Sequence, residues 1–270
     1  MRKDVFSFAF IADPQIGMNS PLGLHEPGSD KERLDRAITY VNQNAIDFVV
    51  FGGDQINNAN NENTDFQLDV LEKSLSALTV PYYGVIGNHE QGDPTQNWKY
   101  IKRELPIRFA VSHANTFLVG INSSWLRGDF GDKYLQEERE YLESQLSKAP
   151  TNCKHRFVVM HWPLFNYHPL EENTYWNMPN RDELINLFKK YKVSCVLSGH
   201  WQQDIDAYWH GISLITSVGT SLPLQYSEEL SFKVVTVFED GWSVRRVSVA
   251  NNELHSIEQD AEPDGVNAAG

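Results

Sequence analysis

The chain has 270 residues, 41% apolar and 12% aromatic, and a formal net charge of −13 at pH 7. That length and apolar content suit one large α/β domain, or at most two small ones, with a sizeable core, and argue against disorder. The acidic balance, without a basic stripe, disfavours nucleic-acid polymers and anionic membranes as partners, although bound metal ions can reverse the field locally for a small phosphate ester.

Arg2 and Lys3 precede an apolar stretch at residues 5–12. It mimics a short signal sequence but is only about eight residues long and runs into Asp13-Pro14-Gln15 without an Ala-x-Ala-like site, so it reads as a buried first strand. No stretch approaches the roughly 20 apolar residues of a membrane span. Residues 30–45 carry Leu34, Ala37, Ile38 and Val41 at helical spacing, with Ser29 or Asp30 as cap. A strand at 47–51, a helix at 66–78 and a strand at 82–86 follow. Asp93-Pro94 opens a helix to about residue 105, with proline at its first position. Residues 108–112 and 116–122 read as paired strands, 134–148 as an amphipathic helix, 156–160 as a strand, 181–191 as a helix and 193–197 as a strand. Beyond His200 only strands are predicted, at 204–209, 213–217, 232–238 and 243–249, the last two forming a hairpin through Glu239-Asp240-Gly241. The domain is expected to span residues 1–250. An acidic, Ala/Gly-containing mobile tail follows at 251–270. Two long loops, 123–133 and 163–180, carry aromatic residues and flank candidate site segments.

Cys153 and Cys195 are the only cysteines. They make no scaffold, so a reducing compartment, the cytoplasm, is the expectation, with a single bridge between them left open.

Five predicted strands end in a residue that can ligate metal. These are Asp13 in Ala-Asp-Pro-Gln, Asp54 in Gly-Gly-Asp, Asn88 in Gly-Asn-His-Glu, His161 in Met-His-Trp-Pro, and His200 in Gly-His-Trp-Gln. Ligands in open α/β architectures gather beyond the carboxyl ends of strands. Carboxylate, amide and imidazole groups together suit divalent first-row metals, and Asp54 could place one oxygen on each of two ions. Any one motif alone would more often be a turn, a cap or a satisfied histidine. All five, in order and at strand ends, point to a metal site.

In this order the motifs resemble the calcineurin-like metallophosphoesterases over residues 5–249, nearest to a branch described as Ser/Thr protein phosphatases. The resemblance implies a four-layer αββα sandwich of two mixed sheets flanked by helices, and a centre of two divalent ions (manganese, iron, magnesium or zinc). It implies Asp54 as the bridging carboxylate and Asn88, His161 and His200 on the second metal. Asp13 would serve the first metal. His89 would protonate the leaving group, and Glu90 would orient it. Gln15 and Gln202 stand where the family usually offers histidine on the first metal. Oxygen donors there favour magnesium, manganese or calcium over zinc, so the first site is expected to be weak, altered or partly empty.

The expected reaction is hydrolysis of a phosphate ester by a metal-activated hydroxide, with His89 as general acid. The substrate would be a phosphorylated small molecule or a phosphoprotein, bound through Asn88, His89 and Arg127. Trp125, Phe165, Tyr167, His168, Tyr175 and Trp176 could line a pocket or simply pack the loops. The alternatives are a degenerate mononuclear scaffold with little turnover, or a centre turned to non-phosphatase metal chemistry.

Overall fold

The computed structural model describes residues 4–18, 29–90, 99–172, 174–221, 229–250 and 256–257. The first half of the chain runs β1 (Asp4–Ile11), α1 (Asp30–Gln43), β2 (Phe48–Gly52), α2 (Thr64–Leu75), β3 (Tyr82–Val85), α3 (Lys99–Lys102), β4 (Phe109–His113) and β5 (Thr116–Gly120). Then come α4 (Ser123–Arg127), α5 (Asp132–Ser147), β6 (His155–Val159), α6 (Arg181–Lys190), β7 (Cys195–Ser198), β8 (Ile205–Trp209), β9 (Ile212–Thr216), β10 (Ser231–Phe238), β11 (Trp242–Ser248) and β12 (Ser256–Ile257).

Alternation along β1 sets the layering. Successive side chains of a strand point to opposite faces. Phe6, Phe8 and Phe10 therefore join one apolar cluster, while Ala9 and Ile11 join another. The phenylalanine face packs against Leu118, Phe157, Val159, Cys195 and Leu197 of a second sheet. The other face packs beneath α1 and α2, on Leu34, Ile38, Val41, Leu68 and Leu71. The outer face of the second sheet is covered by α5 and α6 through Leu142, Leu146, Leu184, Ile185 and Phe188. Three apolar interfaces between four layers make the expected αββα sandwich.

Both sheets are mixed. One has the order β12-β11-β10-β1-β2-β3, with β1, β2 and β3 mutually parallel. The other has the order β4-β5-β6-β7-β9-β8, with β5, β6, β7 and β9 parallel. Parallel strands covered on both faces need continuous apolar runs, and β2 and β7 are buried at every residue.

Local chemistry explains the differences from the sequence reading. The segment expected as a loop at 123–133 contains the helix α4. Asn122 caps it by accepting from Trp125 N at 3.3 Å, and Gly128 ends it at φ 88°. Ser29 rather than Asp30 caps α1. Residues 163–180 do lack regular structure where described. Ser256–Ile257, expected within a mobile tail, pairs with Arg246 and Val247 of β11. The predicted helix start at Asp93-Pro94 lies outside the described residues. Cys153 and Cys195 are both free thiols, which removes the bridge left open above. Among the described residues no helix is long and apolar enough to cross a membrane.

Candidate metal centre

The five strand tips meet at one edge of the sandwich. β1, β2 and β3 run parallel, so their carboxyl ends deliver Asp13, Asp54 and Asn88 on the same side. β6 and β7 do the same for His161 and His200 in the other sheet. Main-chain bonds sew the tips together, with Asp13 N donating to Gly53 O at 3.1 Å and Gly199 N to His161 O at 3.1 Å. Gly87 is required by space: a Cβ there would stand 2.0 Å from Asp54 Oδ1.

His161 is the pivot. Its Nδ1 lies 2.8 Å from the Gly52 carbonyl, which can only accept, so Nδ1 carries the proton. Nε2 is left facing three donor atoms: Asp54 Oδ2 at 3.1 Å, Asn88 Oδ1 at 3.1 Å and His200 Nδ1 at 3.2 Å. Ligand atoms set tetrahedrally around a metal at about 2.0–2.1 Å stand about 3.4 Å apart, so these four atoms suit a divalent ion. Asp54, His161 and His200 also form a buried acid–imidazole cluster whose ligand atoms lie within 4.8 Å of one another.

The electrostatics ask for positive charge at this point. Burial opposes charging of His161, but Asp54, with help from Asp13, overrides it and raises the imidazole to about 9. Burial likewise pushes Asp54 up, but the histidines, His161 foremost, hold it well below the usual carboxylate range. Burial and the neighbouring His161 keep His200 neutral, with its proton affinity well below normal, the form in which imidazole binds metal. His200 Nε2 is buried without a hydrogen-bond partner.

The surroundings of Asp13, Gln15 and Gln202 are built differently. Gln202 Nε2 donates to Gln15 Oε1 at 3.0 Å and to Asp13 Oδ1 at 3.3 Å. Asp13 also accepts from His200 N at 3.1–3.2 Å, and Gln15 Oε1 from Ser221 Oγ at 3.2 Å. An amide NH₂ thus stands between two oxygens that could otherwise ligate. Burial, reinforced by Asp54, raises Asp13 to about 7, so this carboxylate too favours a proton or a cation beside it. Asp13 and Gln15 present oxygen atoms of the kind a hard ion takes.

Backbone strain marks the same residues. Asp13, Gln15, Asp54, His200 and Gln202 adopt positive φ of 50°, 37°, 52°, 61° and 50°, five of the nine such non-glycine residues among those described. Each costs on the order of 1–3 kcal/mol and persists only where the surroundings over-determine it, typically at functional sites.

His89 stands at the rim, partly exposed. Its Nδ1 lies 2.5 Å from Asn57 O, so that nitrogen donates, and Nε2 lies 3.8 Å from Asp54 Oδ2. Burial lowers its proton affinity, but the Asp54 carboxylate outweighs that and raises it, so the ring is set up to hold a proton. Glu90, expected to orient His89, helps raise its proton affinity and clamps the main chain: its carboxylate accepts from Asp54 N at 2.9 Å, Gly87 N at 2.8 Å and Ile56 N at 2.8 Å.

Arg127, expected to meet phosphate, pairs with Asp129 at 2.9 Å, donates to the Asn177 carbonyl, lies 4.0 Å over the Trp162 ring and acts electrostatically on His200. Trp125 and Phe165 are buried, against Tyr134 and Trp209, rather than lining a pocket. His168 accepts from Leu170 N at 3.1 Å within its own turn. Tyr167, Tyr175 and Trp176 do face solvent. His25, in the Gly/Pro-containing stretch after Asp13-Pro14-Gln15, lies outside the described residues. Sequence reasoning misses Ser221 and Trp162. Ser221 follows a Gly-Thr turn with no motif to flag it, while Trp162 is visible only as the neighbour of His161.

A four-layer αββα sandwich with acid, amide and imidazole groups at its parallel strand tips is the architecture of a metallophosphoesterase. Residues 6–204 match the calcineurin-like phosphoesterase family, and the chain belongs to it. A serine/threonine-protein phosphatase CPPED1 from Danio rerio is 26% identical, covering 95% of this chain and 86% of that protein. A 3′,5′-cyclic adenosine monophosphate phosphodiesterase CpdA from Haemophilus influenzae is 22% identical, covering 94% and 87%. A solved dimetal phosphatase from Danio rerio shares the fold, with a TM-score of 0.66 and 19% identity over 94% of this chain and 99% of that one.

Proposed function

We propose that the chain hydrolyses a phosphate ester at a divalent-metal centre. The observation that carries this is His161 Nε2, locked by its Gly52 bond and facing Asp54, Asn88 and His200 at 3.1–3.2 Å. In this reading Asp54, Asn88, His161 and His200 hold one ion, and Asp13, Gln15, Gln202 and Asp54 hold a second. Bound divalent ions would supply Lewis acidity, an activated water and neutralisation of charge on the transferring phosphoryl group. Asn88 and His89 border the phosphate, and His89 Nε2 delivers a proton to the leaving oxygen. The substrate is a phosphorylated small molecule or a phosphoprotein in the cytoplasm, and manganese or iron suits the mixed oxygen and nitrogen donors.

The test is hydrolysis of an aryl phosphate with Mn²⁺ or Mg²⁺. Asp54→Asn and His200→Ala are expected to lose activity. Full activity in both would overturn the assignment.

One observation favours a second reading. The Gln202 amide already bonds to both Asp13 and Gln15, which suits a mononuclear centre with little turnover. Elemental analysis separates the two: about two ions per chain with hydrolysis, or one ion without it.

A further inference from the structure

Beside the metal centre lies a group of aromatic rings that its ligand chemistry does not use. The Trp162 ring centroid lies 3.6 Å from that of His200, and Trp176 lies 5.5 Å from His200 and 6.2 Å from Trp201. Tyr175 meets Trp176 edge-on at 4.9 Å, and Tyr167 meets Trp201 edge-on at 5.3 Å.

Rings that serve only to pack a loop are buried, as Phe165 is at 4% exposure. Tyr175 is 70% exposed, Tyr167 61% and Trp176 38%. A contiguous apolar patch kept in water marks a binding surface more often than a packing one.

The segment is also held in place. Glu171 accepts from Asn166 N at 2.6 Å and Tyr167 N at 3.1 Å, and Met178 N donates to Pro163 O at 2.9 Å. Arg127 donates to the carbonyl of Asn177, next to Trp176. A platform ordered in advance loses little entropy when a ligand lands on it.

We propose that Trp176, flanked by Tyr175, Tyr167 and Trp201, binds a flat aromatic ring on the alcohol side of the phosphate ester, a nucleobase or a phenol. This rests on the phosphoesterase reading of the adjacent centre. The ring faces supply stacking that an aliphatic alcohol cannot use. The 5.5 Å from Trp176 to His200 keeps ring and phosphate within one small molecule.

The experiment compares esters with similar leaving alcohols: AMP, which carries a base, and ribose 5-phosphate, which does not. The wild type is expected to show kcat/KM for AMP about tenfold or more above ribose 5-phosphate. Trp176→Ala should remove most of that preference, raising KM for AMP far more than KM for ribose 5-phosphate, while Trp176→Phe should retain it. Phosphotyrosine and phosphoserine are run as a second pair. The mutant-to-wild-type ratio cancels leaving-group reactivity, and the aromatic ester that loses more identifies the ring. No preference in the wild type, or equal loss on all esters in Trp176→Ala, overturns the platform while leaving the esterase reading intact. If no ester is hydrolysed, the esterase reading falls and calorimetry with adenosine and ribose decides the platform alone. Adenosine binding lost in Trp176→Ala supports it, and no adenosine binding overturns it.

Discussion

His161 and Gly52 come from different sheets, yet His161 Nδ1 donates to the Gly52 carbonyl at 2.8 Å. That bond fixes the tautomer and turns Nε2 toward Asp54, Asn88 and His200. His161→Ala is therefore expected to lower metal content and to reduce kcat at least about 100-fold, since losing even an outer partner of a metal ligand typically costs 10–100-fold. Metal analysis and steady-state kinetics on an aryl phosphate check this, with circular dichroism confirming the fold.

Gln202→His replaces an amide that bonds to Asp13 and Gln15 with an imidazole nitrogen. Histidine tolerates the φ of 50° found there. The variant is expected to bind the ion beside Asp13 and Gln15, the first metal, about tenfold or more tightly, because imidazole is a better donor than an amide for first-row metals. Competition with a chelator measures it, and unchanged stoichiometry and affinity would count against a first-metal role for this position.

Glu138 gives a pH prediction away from the centre. Burial raises its carboxyl to about 7, against the bonds from Asn122 N at 2.8 Å and Arg108 at 3.1 Å. A carboxyl that holds its proton more tightly when folded contributes stability at low pH, and that contribution falls as pH rises from about 4.5 to about 7. Glu138→Gln has no such titration. Relative to wild type it should gain on the order of 2–3 kcal/mol between those pH values, because holding a proton through one further pH unit is worth about 1.4 kcal/mol. Urea unfolding at both pH values reads this difference directly.

Asp204 follows the last site motif and anchors it to the opposite sheet. It pairs with buried Lys233 of β10 and, at 3.0 Å, with Arg246 of β11. Asp204→Asn removes the carboxylate that two mostly buried cations share, and breaking such pairs costs about 3–5 kcal/mol. Denaturant unfolding should show that loss. Metal affinity should fall as well, since Gln202 lies two residues away.

Much of this site can be read from the sequence because its information is local. A period-2 apolar run ending in Asp13, and glycines before Asp54, Asn88 and His200, place ligand-type side chains at strand tips without any tertiary knowledge. The strands are legible for the same reason: continuous apolar runs such as β2 and β7 have few other uses. Asn122 as a helix cap is also local, but the long stretch between elements hides it.

Other features come only from packing. Arg127 reads as a free cation in sequence, yet it is engaged by Asp129, the Asn177 carbonyl and the Trp162 ring. Glu90 stands beside His89 in sequence, yet it binds main chain of the Asp54 turn as well as of its own. The sequence by itself determined which groups the centre contains and the order in which the strands deliver them. The tertiary structure decided which nitrogen of His161 faces inward, that the Gln202 amide stands between Asp13 and Gln15, and which aromatics stay in water. The first two depend on contacts between residues 100 or more positions apart, brought within hydrogen-bond distance only when the two sheets pack face to face.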